Sequence, residues 1–220
     1  MTQTNVELAR HNMVEAQIRP NNVLDQKVLD VIAQSPREDY MPEAYRNVAY
    51  TDMSIPLGND EFVLTPRLEG KILQALQVQP NDKILEVGTG SGHLTSLLAT
   101  MGGHVYSVEL DAGLKATAES TLAAHDITNV TVEQGDAARG WDAHQPYDVI
   151  VLTGSLPLLP DSFKETLTMG GRLFAIVGES PVMEATLVTR LDEEHWRSQI
   201  LFDADVPALH NAIQPKRFKF

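Results

Sequence analysis

The chain of 220 residues has no cysteine. A disulfide framework, a thiolate metal site and a cysteine nucleophile are excluded together. A reducing, cytoplasmic setting is the expectation that fits. Long hydrophobic runs are missing too. No stretch approaches the ~18 apolar residues of a membrane span, and residues 1–20 lack the continuous apolar run of a signal peptide. Basic residues are few: Lys and Arg number 17 against 30 Asp and Glu, for a net charge of −13. Phosphate backbones are bound by basic faces, so nucleic acid is not an expected partner. Only Lys216, Arg217 and Lys219 form a locally basic end, read as solubilising. The seven histidines include no H-x-x-x-H pair and no accompanying carboxylate cluster, so no metal site is expected. Neither a G-x-x-x-x-G-K-[ST] phosphate loop nor a G-x-S-x-G nucleophile elbow occurs.

What is present is a globular composition, 43% apolar and 21% charged. The length favours one domain spanning 1–220. It divides by pattern. In residues 1–65, Val6, Leu8, Met13, Val14 and Ile18 are spaced like one helix face. Asn22 is a candidate cap for a second helix carrying Val23, Leu24, Val28, Leu29 and Ile32. Pro36, Pro42 and Pro56 then punctuate a loop-rich stretch. This segment is read as a helical extension and active-site loop, either a lid over a substrate or a cover for the core. From residue 66 to 220 helices and apolar strands alternate. Helices are expected at Pro66–Leu76, Ser91–Met101, Asp111–His125 and Ser162–Leu167, and strands at Lys83–Val87, His104–Val108, Asn129–Glu133, Tyr147–Leu152 and Gly171–Val177. That alternation predicts a three-layer α/β/α fold on a mostly parallel sheet with right-handed crossovers. Ala185–Leu191 and Arg197–Phe202 predict an antiparallel hairpin at the C-terminal end, with Asp192-Glu193-Glu194 as its solvated turn. Trp141 and Trp196 are read as packing or rim residues.

The sharpest motif is Leu85-Glu86-Val87-Gly88-Thr89-Gly90-Ser91-Gly92-His93, which ends a strand and opens a helix. Glycines there let backbone approach a ligand, and the free N–H groups of the next helix face it. The next strand ends in Glu109, 21 residues beyond Gly88 (109 − 88), a spacing suited to holding ribose hydroxyls. Gly135-Asp136-Ala137 ends the third strand at the same sheet edge, so the three clusters share one crevice. The glycine spacing is not G-x-G-x-x-G, and Glu86 would repel a diphosphate. A ligand carrying a sulfonium and an ammonium, S-adenosylmethionine, suits it better. His93 lies near that ligand or simply occupies an ordinary helix position.

These residues resemble the class I S-adenosylmethionine-dependent methyltransferases, along with Tyr147–Val151 and Gly170-Gly171-Arg172-Leu173. Within that class, Met13-Val14, Gln17-Ile18, Val23-Leu24-Asp25, Pro36-Arg37-Glu38, Tyr40-Met41-Pro42, Ala49-Tyr50-Thr51-Asp52, Ile55-Pro56-Leu57-Gly58 and Val206-Pro207 resemble the protein-L-isoaspartate O-methyltransferases. The resemblance implies that Glu86 and the loop Gly88, Thr89, Gly90, Ser91 and Gly92 face the methionine part of the cofactor. It implies that Glu109 binds the ribose, and that Asp136 with the Ala137 backbone holds the adenine. Phe62, Val63, Leu110 and Thr153 complete the implied cofactor site. The resemblance makes Thr153, Gly154 and Ser155 a substrate-side wall; the alternative is a capped turn before Pro157. The implied partner is a protein or peptide whose carboxyl group, first an isoaspartyl one, accepts the methyl.

The chain departs from that family's Gly-Gln-Thr-Ile-Ser-x-Pro segment. It reads Asp60-Glu61-Phe62-Val63-Leu64-Thr65-Pro66, so Leu64 stands at the catalytic serine position and Phe62 at the threonine position. Thr65 offers a hydroxyl one place late, pointing the other way on extended backbone. A carboxylate acceptor is already ionised at neutral pH and needs no general base. The rival readings are a methyltransferase for another protein or small-molecule acceptor, a non-catalytic cofactor-binding homologue, and a nicotinamide-dependent dehydrogenase. Arg67, in the first turn of its helix, is either a cationic group at the mouth or a solvated side chain.

Overall fold

A computed structural model of the chain describes residues 3–216; Arg217 and Lys219 of the basic end lie outside them. The chain opens with helix α1 (Gln3–Asn12), which loosens into a π-helical stretch over Met13–Ile18 and a 3-10 turn over Arg19–Asn21. Helix α2 (Gln26–Gln34) follows. Its cap is Asp25, whose side chain accepts from the Lys27 N–H, and not Asn22, which takes a left-handed conformation at φ 67°. Left-handed backbone suits a small amide but does not present a helix cap. Two further 3-10 turns, Arg37–Tyr40 and Glu43–Val48, fill the proline-rich stretch. A short antiparallel hairpin comes next, β1 (Ile55–Gly58) with β2 (Glu61–Val63). It turns through Asn59 and Asp60, both at positive φ, as a tight hairpin turn requires.

Thr65 then caps α3 (Pro66–Leu76), with its oxygen accepting from the Leu68 N–H and Pro66 in the first turn, where a missing N–H costs nothing. The core runs β3 (Lys83–Val87), α4 (His93–Met101), β4 (His104–Glu109), α5 (Ala112–Ala124), β5 (Val130–Gln134), β6 (Tyr147–Leu156), α6 (Asp161–Glu165), β7 (Leu167–Glu179), β8 (Val182–Arg190) and β9 (Trp196–Asp203). Helix α4 starts at His93, two residues later than the sequence suggests, because Gly92 at φ 82° holds the loop open. The segment expected as helix to Leu167 stops at Glu165, since Leu167 already pairs with Tyr147. Asp111 caps α5 by accepting from the Gly113 and Leu114 N–H groups.

The seven-stranded sheet has the order β5-β4-β3-β6-β7-β8-β9. Strands β3 to β7 are parallel, and β8 and β9 antiparallel. Asp192 accepts from the Glu194 and His195 N–H groups in the exposed β8–β9 turn. Alternate residues of the central strands feed opposite layers, as a pleated strand requires. Ile84, Val149, Val151, Phe174 and Ile176 pack with α2, α3 and α4 and the N-terminal segment. Leu85, Ile150, Leu152, Leu173 and Ala175 pack with Phe163 of α6, Trp141 and Leu209. The chain after β9 doubles back beside β6: the Ser155 N–H donates to the Pro207 carbonyl at 2.9 Å, and the Leu209 N–H to the Ser155 carbonyl at 2.9 Å. That return puts Val206-Pro207 at the sheet's carboxyl edge, beyond the last strand. No helix among the described residues is long and apolar enough to cross a membrane.

Candidate active site

The sheet reverses its winding direction at β3: β4 and β5 extend to one side and β6 to the other. Such a switch point opens a crevice at the carboxyl ends of the strands. Here the crevice, counted with the open solvent at its mouth, spans about 740 Å³. Val87 and Gly88 form its base, Val108, Glu109 and Leu110 one side, and Gly135, Asp136 and Ala137 the next. Phe62, Val63 and Leu64 of the hairpin roof it, and Val206 to His210 form the opposite rim. An adjoining lobe runs beneath the same hairpin to Thr89, Gly90, Ser91 and Glu69. The structure therefore brings Phe62, Val63, Leu64, Gly88, Thr89, Gly90, Ser91, Glu109, Leu110, Asp136, Ala137 and Thr153 to one cleft. Gly92 lies apart from it and packs on α5, where a Cβ would stand 3.3 Å from Ala118. Glu86 sits behind the loop, fully buried. Thr65 is committed to capping α3.

Each carboxylate of the cleft has a distinct setting. Glu109 accepts from the Gly90 N–H at 2.8 Å and from the Asp111 N–H at 3.0 Å, so its two oxygens are pinned by backbone. Asp136 accepts from the Ala138 N–H at 3.1 Å and the Asn211 amide at 2.8 Å. Glu86 accepts on Oε2 from the Ser107 hydroxyl at 2.6 Å and the Thr95 hydroxyl at 2.5 Å. Its Oε1 is buried without a hydrogen-bond partner. Burial pushes the Glu86 carboxyl up to about 8, against the pull of the Ser107 and Thr95 hydroxyls. A buried acid with one idle oxygen is costly unless something completes it. Glu61 closes the rim, its carboxyl 2.9 Å from His210 Nε2.

The sequence reading missed a buried cluster beside this cleft. Arg37 is 1% exposed and donates to three acceptors, Glu69, the Ala49 carbonyl at 2.9 Å and the Leu64 carbonyl at 2.6 Å, and it lies 2.8 Å from His93 Nδ1. His93 Nδ1 also lies 3.0 Å from both Glu69 oxygens, and its Nε2 lies 3.1 Å from the Ser35 hydroxyl. Burial would raise the Glu69 carboxyl, but the adjacent Arg37 and His93 outweigh it and hold it low. Burial pushes His93 down, opposed by Glu69. The cluster ties the N-terminal segment, α3 and the helix after the glycine loop to the backbone of Leu64. Arg37 carries the one available signal, the Pro36-Arg37-Glu38 motif; nothing in the spacing joins it to Glu69 or His93.

Ligand charge decides the class. Four residues lining the two lobes are carboxylates, Glu61, Glu69, Glu109 and Asp136, and none is Lys or Arg. A nicotinamide dinucleotide would bring its diphosphate to a wall with no cationic side chain. This acidic lining instead fits a cationic ligand. Fold and site together define a class I S-adenosylmethionine-dependent methyltransferase.

The profile of the family protein-L-isoaspartate(D-aspartate) O-methyltransferase matches residues 8–204. The chain is 37% identical over 201 residues to protein-L-isoaspartate O-methyltransferase 1 of Rhodopseudomonas palustris strain HaA2, covering 91% of this chain and 82% of that one. It is 35% identical over 190 residues to the enzyme of that name from Protochlamydia amoebophila, covering 86% and 90%. Among solved structures, a protein-L-isoaspartate O-methyltransferase superposes with a TM-score of 0.79 at 21% identity, covering 90% of this chain and 65% of that one. A Plasmodium falciparum structure, described as of this kind and in complex with S-adenosyl-L-homocysteine, gives 0.76 at 17% identity, covering 93% and 97%. The chain belongs to the protein-L-isoaspartate(D-aspartate) O-methyltransferase family.

Gly88 offers a direct test of the cleft's base. Its φ is 93°, and a Cβ there would stand 2.2 Å from the Thr153 hydroxyl oxygen, which itself donates to the Val87 and Gly88 carbonyls at 2.9 Å. Backbone strain of this kind costs about 1–3 kcal/mol, and the loop must move to relieve the clash. Gly88→Ala is expected to lower cofactor affinity at least tenfold while losing about 2 kcal/mol of stability, read by calorimetric titration and thermal melting. Unchanged affinity would remove Gly88 from the ligand's contact surface.

Proposed function

We propose that this chain transfers the methyl of S-adenosylmethionine to the carboxylate of an isoaspartyl residue in damaged protein. The observation that carries this reading is where Lys and Arg stand about Leu64: neither lines the cofactor side, and Arg67 and Lys71 line the groove on the acceptor side. Glu109, held by two backbone N–H groups, would bind the ribose hydroxyls. Asp136 with the Ala137 backbone would receive the adenine amino group between Phe62, Val63 and Leu110. Gly88, Thr89, Gly90 and Ser91 would bring backbone against the methionine half, with Gly92 supporting the turn from behind. Thr153 would act through the loop carbonyls that it bonds. Glu86 would supply the negative charge beneath them.

When bound, the cofactor offers a methyl on a sulfonium. What the chain adds is orientation. A carboxylate acceptor is ionised at neutral pH, so the site needs no base, and positioning supplies most of the rate. Leu64 sits at the junction, half-buried, its carbonyl fixed by Arg37. An apolar side chain there excludes water but offers the acceptor no hydrogen bond. That single feature favours a second reading, an acceptor other than the isoaspartyl group.

Labelled methyl transfer to an isoaspartyl peptide, with the aspartyl peptide as control and cofactor binding measured on the same preparation, separates the two. Transfer confined to the isoaspartyl peptide is expected. Cofactor binding without transfer would overturn the isoaspartyl reading in favour of another acceptor or a sensor role. Leu64→Ser is expected to raise isoaspartyl transfer about tenfold, the worth of one positioned hydrogen bond. An unchanged rate in a folded, cofactor-binding variant would show that Leu64 does not limit the reaction.

A further inference from the structure

A second groove, of about 610 Å³, opens on the far side of Leu64. It shares Ser54, Leu64 and Val206 with the cofactor cleft, so the two are continuous at the point where methyl would pass. One wall is the first turns of α3, including Arg67 and Lys71; the other is the chain leaving β9, from Phe202 to Val206. Arg67 and Lys71 are four residues apart and share a helix face. Arg67 is committed to Asp52 at 3.2 Å. Lys71 has no ion pair or hydrogen bond among the described residues. Its ammonium lies 4.4 Å from the centre of the Phe202 ring, and the partial burial around it, with the Arg67 charge, lowers its pKa. On the opposite wall Asp205 accepts from the Ser180 hydroxyl at 3.1 Å, and Asp203 is exposed at the rim. A half-buried ammonium on an aromatic face, whose opposing charge Asp52 is already paired with Arg67, favours an anion brought to it.

We propose that this groove receives the stretch of peptide next to the methyl-accepting residue, and that Lys71 selects an acidic side chain there. The assignment rests on the isoaspartyl reading above. The chain's net charge of −13 opposes acidic peptides at long range. Physiological salt screens that field beyond about 8 Å, so the local ammonium decides the final contact.

The test uses C-terminally amidated isoaspartyl peptides that differ only in carrying Glu, Gln or Lys at one flanking position. At the position that reaches Lys71, the Glu peptide is expected to exceed the Gln peptide in kcat/KM by about twofold to fivefold, the scale of one partly exposed ion pair. Lys71→Met should bring that ratio to one, and Lys71→Glu should turn the preference towards the Lys peptide. Because the readout is a ratio within one variant, loss of folded protein does not alter it. A wild-type ratio near one at every position, or a preference that survives Lys71→Met, overturns the groove assignment and leaves the reaction standing. Failure to methylate any of the peptides overturns the isoaspartyl reading and the groove assignment with it.

Discussion

Replacing Arg37 with methionine is expected to destabilise the fold by about 3–5 kcal/mol, the range for removing one partner of a buried ion pair. For a chain of this length that is a drop of about 6–20 °C in melting temperature. The size follows from what the variant leaves behind. Glu69 is 2% exposed and would either hold its charge without its Arg37 partner or take up a proton, both at a cost, and the Ala49 and Leu64 carbonyls would lose their donor. His93 compensates only in part, because burial lowers its pKa. Removing both charges together, as Arg37→Met with Glu69→Leu, should recover much of the loss, since the cost lies in the unpaired charge. The Glu69 carboxyl is held below its ordinary 4.5. Its contribution is therefore present above that value and lost as pH falls through the lower, folded-state one. The double variant should show a flatter acid limb than the wild type. Circular-dichroism melts across pH read all three expectations. A single-variant loss under about 1 kcal/mol would mean that the cluster is hydrated and uncharged, contrary to its burial.

That cluster also marks where the sequence stops being legible. The sheet could be read because β3, β6 and β7 are short apolar runs separated by helical periodicity, and burial on both faces leaves a continuous signal. The glycine loop and Glu109 could be read because backbone geometry fixes their spacing. The β1–β2 hairpin could not: Ile55–Gly58 contains a proline and Glu61–Val63 spans only three residues, too few for a period to show. The return of Val206 to His210 beside β6 was hidden for another reason. It is held by backbone bonds to Ser155, which any residue type can make. Arg37, Glu69 and His93 are separated by 32 and 24 residues. Each alone resembles a surface charge, and only the fold reveals that they meet in a dry interior. Asn22 failed as a cap because two polar residues close together, Asn22 and Asp25, both satisfy the capping preference; the left-handed turn at the first selects the second.

Replacing Glu86 with glutamine is expected to make the protein more stable and a worse cofactor binder. Its carboxyl is pushed from 4.5 to about 8 in the folded state. Folding therefore takes up a proton in this range, and the stability that Glu86 contributes below pH 4.5 is lost as pH rises towards 8. Glutamine has no such dependence. Between pH 4 and 7 the variant should gain on the wild type by on the order of 3 kcal/mol. Binding should move the other way. A cation bound above the loop favours the ionised carboxylate beneath it, so wild-type affinity should rise with pH up to about 8, approaching tenfold per unit, with release of up to one proton. The variant's affinity should be flat with pH and at least tenfold weaker at pH 8. Calorimetric titrations in two buffers of different ionisation enthalpy count the proton directly. A wild-type affinity independent of pH, with no proton released, would show that the ligand's charge does not reach Glu86. The opposed signs have one cause: burial raises the cost of the Glu86 charge in the free protein, and the same burial strengthens its attraction for a cationic ligand.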